Sequence, residues 1–263
     1  MSYQPSAAES DLPAADEVRD LATLLSEAAR SWEAEGSVED TLQAIALSAV
    51  DTVPGADYAG VSLVQRPRTI TTPAATDDLV RDVDAVQSSL GEGPCVDAVW
   101  ERRTVRADDL CADSRWPLFG PRAAALGVRS MLAFRLFTEE ANWGALNLYS
   151  RRPYAFGEGA EFVGQLFASH ASIALAGSQE IAQLNEALAT RDLIGLAKGI
   201  LVERHKISPE AAFGMLVATS HSSKMKLAEV AAWLVRAATA TDTKTDPKTE
   251  SRTGTKTDAQ NEE

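Results

Sequence analysis

The sequence predicts an α+β fold, an antiparallel sheet flanked by helices, followed by a small all-α three-helix module and a disordered C-terminal tail. Three observations carry this expectation. Helical apolar spacing brackets a β-rich middle, whose clearest strands, residues 128–137 and 143–150, are separated by five polar residues in the manner of a hairpin. Three short helical segments with matching apolar stripes follow between Arg191 and Val235. The last stretch, TATDTKTDPKTESRTGTKTDAQNEE, holds eight threonines and ten charges with almost nothing apolar, so burial there does not offset the entropy of ordering. The resulting division is 1–15 disordered, 16–177 a sensor-like domain, 178–236 a helical module and 237–263 a disordered tail.

Taken in order, residues 16–32 read as a helix, with Val18, Leu21, Leu24, Leu25 and Ala28 at helical spacing. Ser37 is the N-cap of a second helix over 38–53, with Glu39 and Asp40 favoured in its first turn by the helix dipole and Pro54-Gly55 as its stop. Strands are expected over 58–65 and 69–76, then a helix over 79–89. Pro94, after the loop GEGP, suits the first position of a helix running to about 103. A short strand at 104–106 and a helix at 120–126 precede the hairpin. In its first strand Val128, Ser130, Leu132, Phe134 and Leu136 share one face, and Met131, Ala133, Arg135 and Phe137 the other. A long helix begins near Glu158. It has room to continue through 179–204, where Ile181, Leu184 and Leu188 form a two-turn a/d seam that predicts a helical dimer contact.

Charge is unevenly spread. The chain of 263 residues carries a net charge of -13, and every lysine lies after residue 190. Residues 1–190 hold 14 Arg against 28 acidic groups, whereas 191–236 hold 7 basic and 4 acidic groups. An acidic body repels nucleic acid, so any such site is confined to the basic segment. No run of about 18 apolar residues is present, so no membrane span is expected, and the acidic N-terminus has neither the basic start nor the apolar run of a signal peptide. The expected location is the cytoplasm, where Cys95 and Cys111 are expected as free thiols, with a redox pair as the alternative because both fall in the same region.

In the basic segment, Ser208-Pro209-Glu210 starts a helix that turns Ala212, Phe213 and Leu216 inward. Ser222 or Ser223 is the expected cap of the last helix, where Leu227, Val230, Ala231, Leu234 and Val235 complete an apolar stripe against Ile194, Ala197 and Leu201. Lys224 and Lys226 then fall in its first turn. Cations there oppose the dipole, which leaves two readings: a solvated pair or an anion site.

The order AKGIL (Ala197–Leu201), AAF (Ala211–Phe213), Ser220 and KLAEVA (Lys226–Ala231) resembles the ANTAR domain, a three-helix RNA-binding module of transcription antitermination. The resemblance implies structured RNA as partner, with Arg191, Lys198, Arg204, Ser220, Lys224 and Lys226 as candidate RNA-facing residues, and Gly199 and Phe213 as residues of close packing. It also implies Asn where this chain has Lys224. Upstream, LGEGPC (Leu90–Cys95), DSRWPLF (Asp113–Phe119), GVRSMLAFRLF (Gly127–Phe137) and WGALNLYS (Trp143–Ser150) resemble a GAF domain, a small-molecule-sensing or dimerising module. No nucleotide-binding or chromophore-attachment signature accompanies it, so the ligand and any cofactor stay unknown. Cys95, Arg115 and Trp116 lie on segments suited to line a pocket, Trp116 equally to cover the core.

Catalytic chemistry is not indicated. His170, His205 and His221 are far apart without metal-ligand spacing, and no phosphate-binding loop, dinucleotide fingerprint or nucleophile elbow occurs. The expectation is a non-enzymatic, dimeric cytoplasmic regulator that senses an unknown signal and binds RNA stem-loops. Alternatives are a DNA-binding factor, for which Ala228, Glu229 and Ala232 offer a poor base-reading surface, and a partner-binding module without nucleic acid.

Overall fold

A computed structural model of the chain describes residues 15–65, 69–100, 103–139 and 141–242. The order is α1 (Ala15–Glu33), α2 (Val38–Thr52), β1 (Tyr58–Gln65), β2 (Thr69–Ala75), α3 (Asp78–Leu90), α4 (Pro94–Trp100), β3 (Thr104–Ala107), α5 (Phe119–Ala125), β4 (Ser130–Phe137), β5 (Asn142–Ser150), α6 (Glu158–His205), α7 (Pro209–Ser223) and α8 (Leu227–Asp242). The expected disorder of 1–14 and 243–263 falls outside the described residues. Residues 237–242, expected in the tail, are the last turn and a half of α8.

The chain forms two compact units that meet in sequence at Gln183 and Leu184. The first is built on an antiparallel sheet of order β2-β1-β5-β4-β3. Strands β4 and β5 alternate between two covered faces. Leu132, Phe134 and Leu136 of β4 and Leu146 and Leu148 of β5 join Trp32 of α1, Ile45 of α2 and Phe167 of α6 in one core. The Trp32 and Phe167 rings meet edge to face, 5.0 Å apart. Met131, Ala133 and Tyr149 point the other way, into a second core with Val80 and Val83 of α3 and Phe119 of α5. Val128 was expected with Leu132. It precedes β4 and packs in the second core instead.

Local signals set the helix ends. The Ser37 side chain accepts from the Asp40 N–H at the start of α2, and Asp77 does the same for Leu79 at α3. Helix α4 runs over Pro94–Trp100, and the next two residues of the run expected to about 103 fall outside the described residues. Helix α6 is a continuous 48 residues, the longer of the lengths the periodicity allowed.

The second unit is closed by Ala197 and Leu201 of α6, Ala212 and Leu216 of α7, and Val230 and Ala231 of α8. Ser208 caps α7 through the Ala211 N–H, with Pro209 at the first position, as expected. The start of α8 differs. Ser222 and Ser223 lie inside α7, where both hydroxyls donate back to the Thr219 carbonyl. Lys224 ends α7 in the left-handed conformation, φ 56°. Helix α8 begins after Lys226, whose N–H donates to Glu229 Oε2 at 3.0 Å, one half of a capping box.

Candidate nucleic-acid interface

Helix α6 supplies the cationic face of the second unit. Arg191 is exposed and Lys198 half-exposed, two turns apart. Between them Gly195, which has no heavy atom near the position of a Cβ, leaves the helix surface low. A concavity of about 450 Å³ results, lined by Ala187, Thr190, Arg191, Ile194, Gly195, Lys198 and the Phe213 ring of α7. Round the helix a second groove of about 920 Å³ is bordered by Arg191 and Arg204, with Asp192 and Glu203 between them and Leu196, Gly199, Ile200 and Ala238 as its apolar part. Lys206 forms an ion pair with Glu203 at 2.7 Å, between two well-exposed groups, so it contributes little to stability.

The structure sets Arg191 and Lys198 on one side of α6 and Arg204 round the helix from Lys198, in the second groove. It places Ser220, Lys224 and Lys226 elsewhere, at the α7–α8 connection. The Ser220 hydroxyl donates to the Met225 carbonyl at 2.6 Å, so it braces that turn. Lys224 and Lys226 end one helix and begin the next, rather than sharing a first turn. Two expectations about packing are corrected. Phe213 is 41% exposed, because its neighbour Ala212 takes the inward position. Gly199 touches nothing within 4 Å of a Cβ, so its role is not close packing inside this unit.

In the first unit two of the three proposed ligand residues are covered and the third, Arg115, is exposed. Cys95 and Trp116 are both 2% exposed. The Trp116 indole N–H donates to Asp97 of α4 at 3.0 Å, and the Arg115 guanidinium lies over the ring, 4.1 Å from its centroid. Asp113 holds Arg115 by a bidentate contact, which lowers the Asp113 carboxyl below the usual range. Cys95 belongs to a separate cluster with Val99 and Ala145. Both cysteines are free thiols, Cys111 exposed and Cys95 with its thiol pushed up to about 12 by burial and by the nearby Asp84.

Sequence reasoning missed a buried polar group beside Cys95. Asp84 of α3 accepts from Ser62 (3.0 Å) and Thr72 (2.6 Å) on one oxygen, and from Gln87 (2.8 Å) and Tyr149 on the other. Asn147 donates to Ser62 at 2.9 Å and keeps its own oxygen buried without a hydrogen-bond partner. Burial pushes the Asp84 carboxyl above its ordinary range despite the four donors. A signal was available. Val80, Val83, Asp84 and Gln87 fall at i, i+3, i+4 and i+7, which puts the acid on the apolar stripe of α3.

Among the described residues, no group of three His, Cys, Asp or Glu gathers where a metal could bind, and no helix is long and apolar enough to cross a membrane.

The GAF domain model matches residues 35–176, more than half of the chain, and the ANTAR domain model matches residues 182–235. The chain belongs to the GAF family and carries an ANTAR domain behind it. Comparison with curated proteins gives no match. Among solved structures, this GAF–ANTAR chain is similar to the GAF domain of a phosphoenolpyruvate-protein phosphotransferase from Coxiella burnetii. That likeness has 14% identity and a TM-score of 0.50, and covers 63% of this chain and 98% of that one. It is also similar to a bacteriophytochrome from R. palustris, with 10% identity and a TM-score of 0.55, covering 81% of this chain but only 48% of that one. A free methionine-R-sulfoxide reductase from Neisseria meningitidis, in complex with its substrate, follows with 17% identity, a TM-score of 0.49, and 65% and 96% coverage. At these identities the likenesses establish the fold alone, and the last bears no argument about activity. The two domains together support a signal-sensing regulator with an RNA-binding antitermination module.

Proposed function

We propose that this GAF–ANTAR protein is a cytoplasmic, non-enzymatic regulator that binds RNA stem-loops through its second unit and so favours an antiterminator hairpin over a terminator. The observation that carries the reading is the placing of Arg191, Lys198 and Arg204 on one helix, bordering two grooves, in a chain that is otherwise acidic. Cations that neutralise RNA phosphates free the condensed counterions into solution, while the acidic first unit is repelled. The GAF domain supplies the signal, through a ligand whose identity is open. Homodimerisation through α6 sets two RNA-binding units side by side and raises the effective concentration for paired loops. Ile181, Leu184 and Leu188, each more than half exposed at a/d spacing, support that contact. No observation favours the DNA reading, since Glu229 turns back on its own helix start.

The test is a titration of the full chain with structured RNA at moderate salt. Lys198→Glu combined with Lys226→Glu is expected to abolish binding while leaving the far-ultraviolet circular dichroism spectrum intact. Unchanged affinity overturns the RNA reading, and tighter binding of duplex DNA than of RNA hairpins replaces it with the DNA reading.

A further inference from the structure

Phe213 is out of place for a core residue. Ala197, Leu201, Ala212, Leu216, Val230 and Ala231 close the core of the second unit without it. Its ring lies in the wall of the concavity on α6. The Lys198 ammonium sits 5.9 Å from the ring centroid, close enough for a cation–π attraction that holds the lysine at the edge of the concavity. Arg191 stands at the other end, next to Thr190 with its hydroxyl. Gly195 keeps the space beside the ring empty, since a side chain there would project into open space that nothing else fills. Glu210, in the first turn of α7, is the acid that senses Lys198. The lining of the concavity itself holds two cations and no carboxylate.

An exposed aromatic face flanked by cations, in a hollow within the size range of small-ligand sites, matches what an unpaired nucleotide requires: a surface to stack on and charges for the phosphates on either side. A second protein chain would satisfy the two cations only where carboxylates stand at the same spacing on either side of an apolar group, whereas phosphates recur on either side of every base in an RNA strand. We infer that Phe213 is the stacking platform for one unpaired RNA base, with Lys198 and Arg191 taking the phosphates that flank it. The inference rests on the RNA reading above and sharpens it. The module does not merely attract a duplex by charge; it takes a flipped-out loop base, which confines binding to RNA with unpaired positions.

The test compares two RNA probes on the full chain: a hairpin with an unpaired adenosine-rich loop, and a blunt duplex with the same stem. Wild type is expected to prefer the hairpin. Phe213→Leu is expected to weaken hairpin binding by about 10-fold, the loss of one stacked base, with duplex binding and the salt dependence unchanged. Phe213→Tyr is expected to keep hairpin affinity, which separates stacking from simple loss of packing. Lys198→Gln and Arg191→Gln are expected to reduce the slope of log affinity against log salt by about one each. Hairpin affinity unchanged in Phe213→Leu, while Lys198→Gln weakens it, overturns the stacking role but leaves the RNA reading standing. An equal loss on hairpin and duplex, a fall in the thermal midpoint shared by Phe213→Tyr, or a shift from dimer to monomer in sedimentation assigns Phe213 to folding or self-association and overturns the inference. Failure of wild type to bind either probe removes the RNA reading itself.

Discussion

The Tyr149 phenol donates its hydrogen to the carboxylate of Asp84, 65 residues earlier in the chain, and both side chains are buried. This contact ties β5 to α3 beneath the sheet and makes a titratable group part of the core. Burial raises the folded-state affinity of Asp84 for its proton, and raises the Tyr149 phenol well above its usual range by burial and by the charge of Asp84.

A definite pH dependence follows. A carboxyl whose folded value lies above its unfolded value of about 4 lends stability that is complete below pH 4 and is lost as pH rises through the folded value. Asp84→Asn removes this titration, and its amide nitrogen can donate to the Ser62 and Thr72 hydroxyls. In urea unfolding from pH 4 to pH 8, wild type is expected to lose stability relative to Asp84→Asn as pH rises. A difference that stays flat would mean that the four donors hold Asp84 ionised at an ordinary value. Asp84→Ala, which strips all four donors of their acceptor, is expected to cost about 3 kcal/mol or more at any pH in this range.

Gly144 is a second point of no freedom. It pairs with Leu63 across β1 and β5 at φ 150°, and a Cβ there would lie 1.8 Å from the Ser62 carbonyl oxygen. The obstacle is backbone, so no rotamer relieves it. Gly144→Ala is expected to cost about 3 kcal/mol or more, seen as a fall in the urea midpoint, since the two central strands must part. Gly127→Ala is a control of the same kind in a roomier place, where the penalty is the strain of φ 99° alone.

Lys224 holds the left-handed conformation in which glycine and asparagine are the favoured residues. This gives a backbone reason for the asparagine that the ANTAR resemblance implies there. Lys224→Gly is expected to raise the thermal stability by roughly 0.5–1 kcal/mol, and Lys224→Asn by less. Lys224→Val, which is β-branched, should lower it. If the lysine also meets phosphate, Lys224→Asn lowers RNA affinity while stability holds or rises, a split that thermal melts and RNA titrations read separately.

The seam on α6 predicts the assembly. Leu184→Glu together with Leu188→Glu places acids at two exposed apolar positions. Sedimentation should change from dimer to monomer with little loss of helicity. A wild-type chain that sediments as a monomer at micromolar concentration would remove this contact.

Much of the fold was legible because its signals are local. Pro94, Ser37, Ser208-Pro209 and the Pro54-Gly55 stop act on the backbone within a few residues of themselves, so the element order and most boundaries follow from them. The alternation along β4 told which of its residues share a face, although Val128, which precedes the strand, packs in the other core. The α7–α8 connection was misread because two local bonds competed. Ser222 and Ser223 are good caps in principle, but each found the Thr219 carbonyl in the preceding turn, and Lys226 with Glu229 took over the helix start. In the candidate interface, Arg191 and Lys198 are seven residues apart, two turns of one helix, so their common side is a matter of local spacing, whereas Arg204 lies round the helix from Lys198. The place of Phe213 was not legible, since Ala212 and Phe213 are adjacent and only packing decides which of the two faces the core.

By itself the sequence determined the two-domain order, the antiparallel hairpin, the segregation of lysine into the basic module and the ANTAR and GAF resemblances. These depend on composition, period and short motifs, all of which act over a few residues. Only the tertiary structure decided that Asp84 is a core residue, that Cys95 and Trp116 are sealed from solvent, and that Phe213 stands in a hollow between two cations. Each of those facts depends on side chains from segments distant in the chain coming into contact. The free energy of burying an acid, or of leaving an aromatic in water, belongs to that assembled environment and not to any one segment of it.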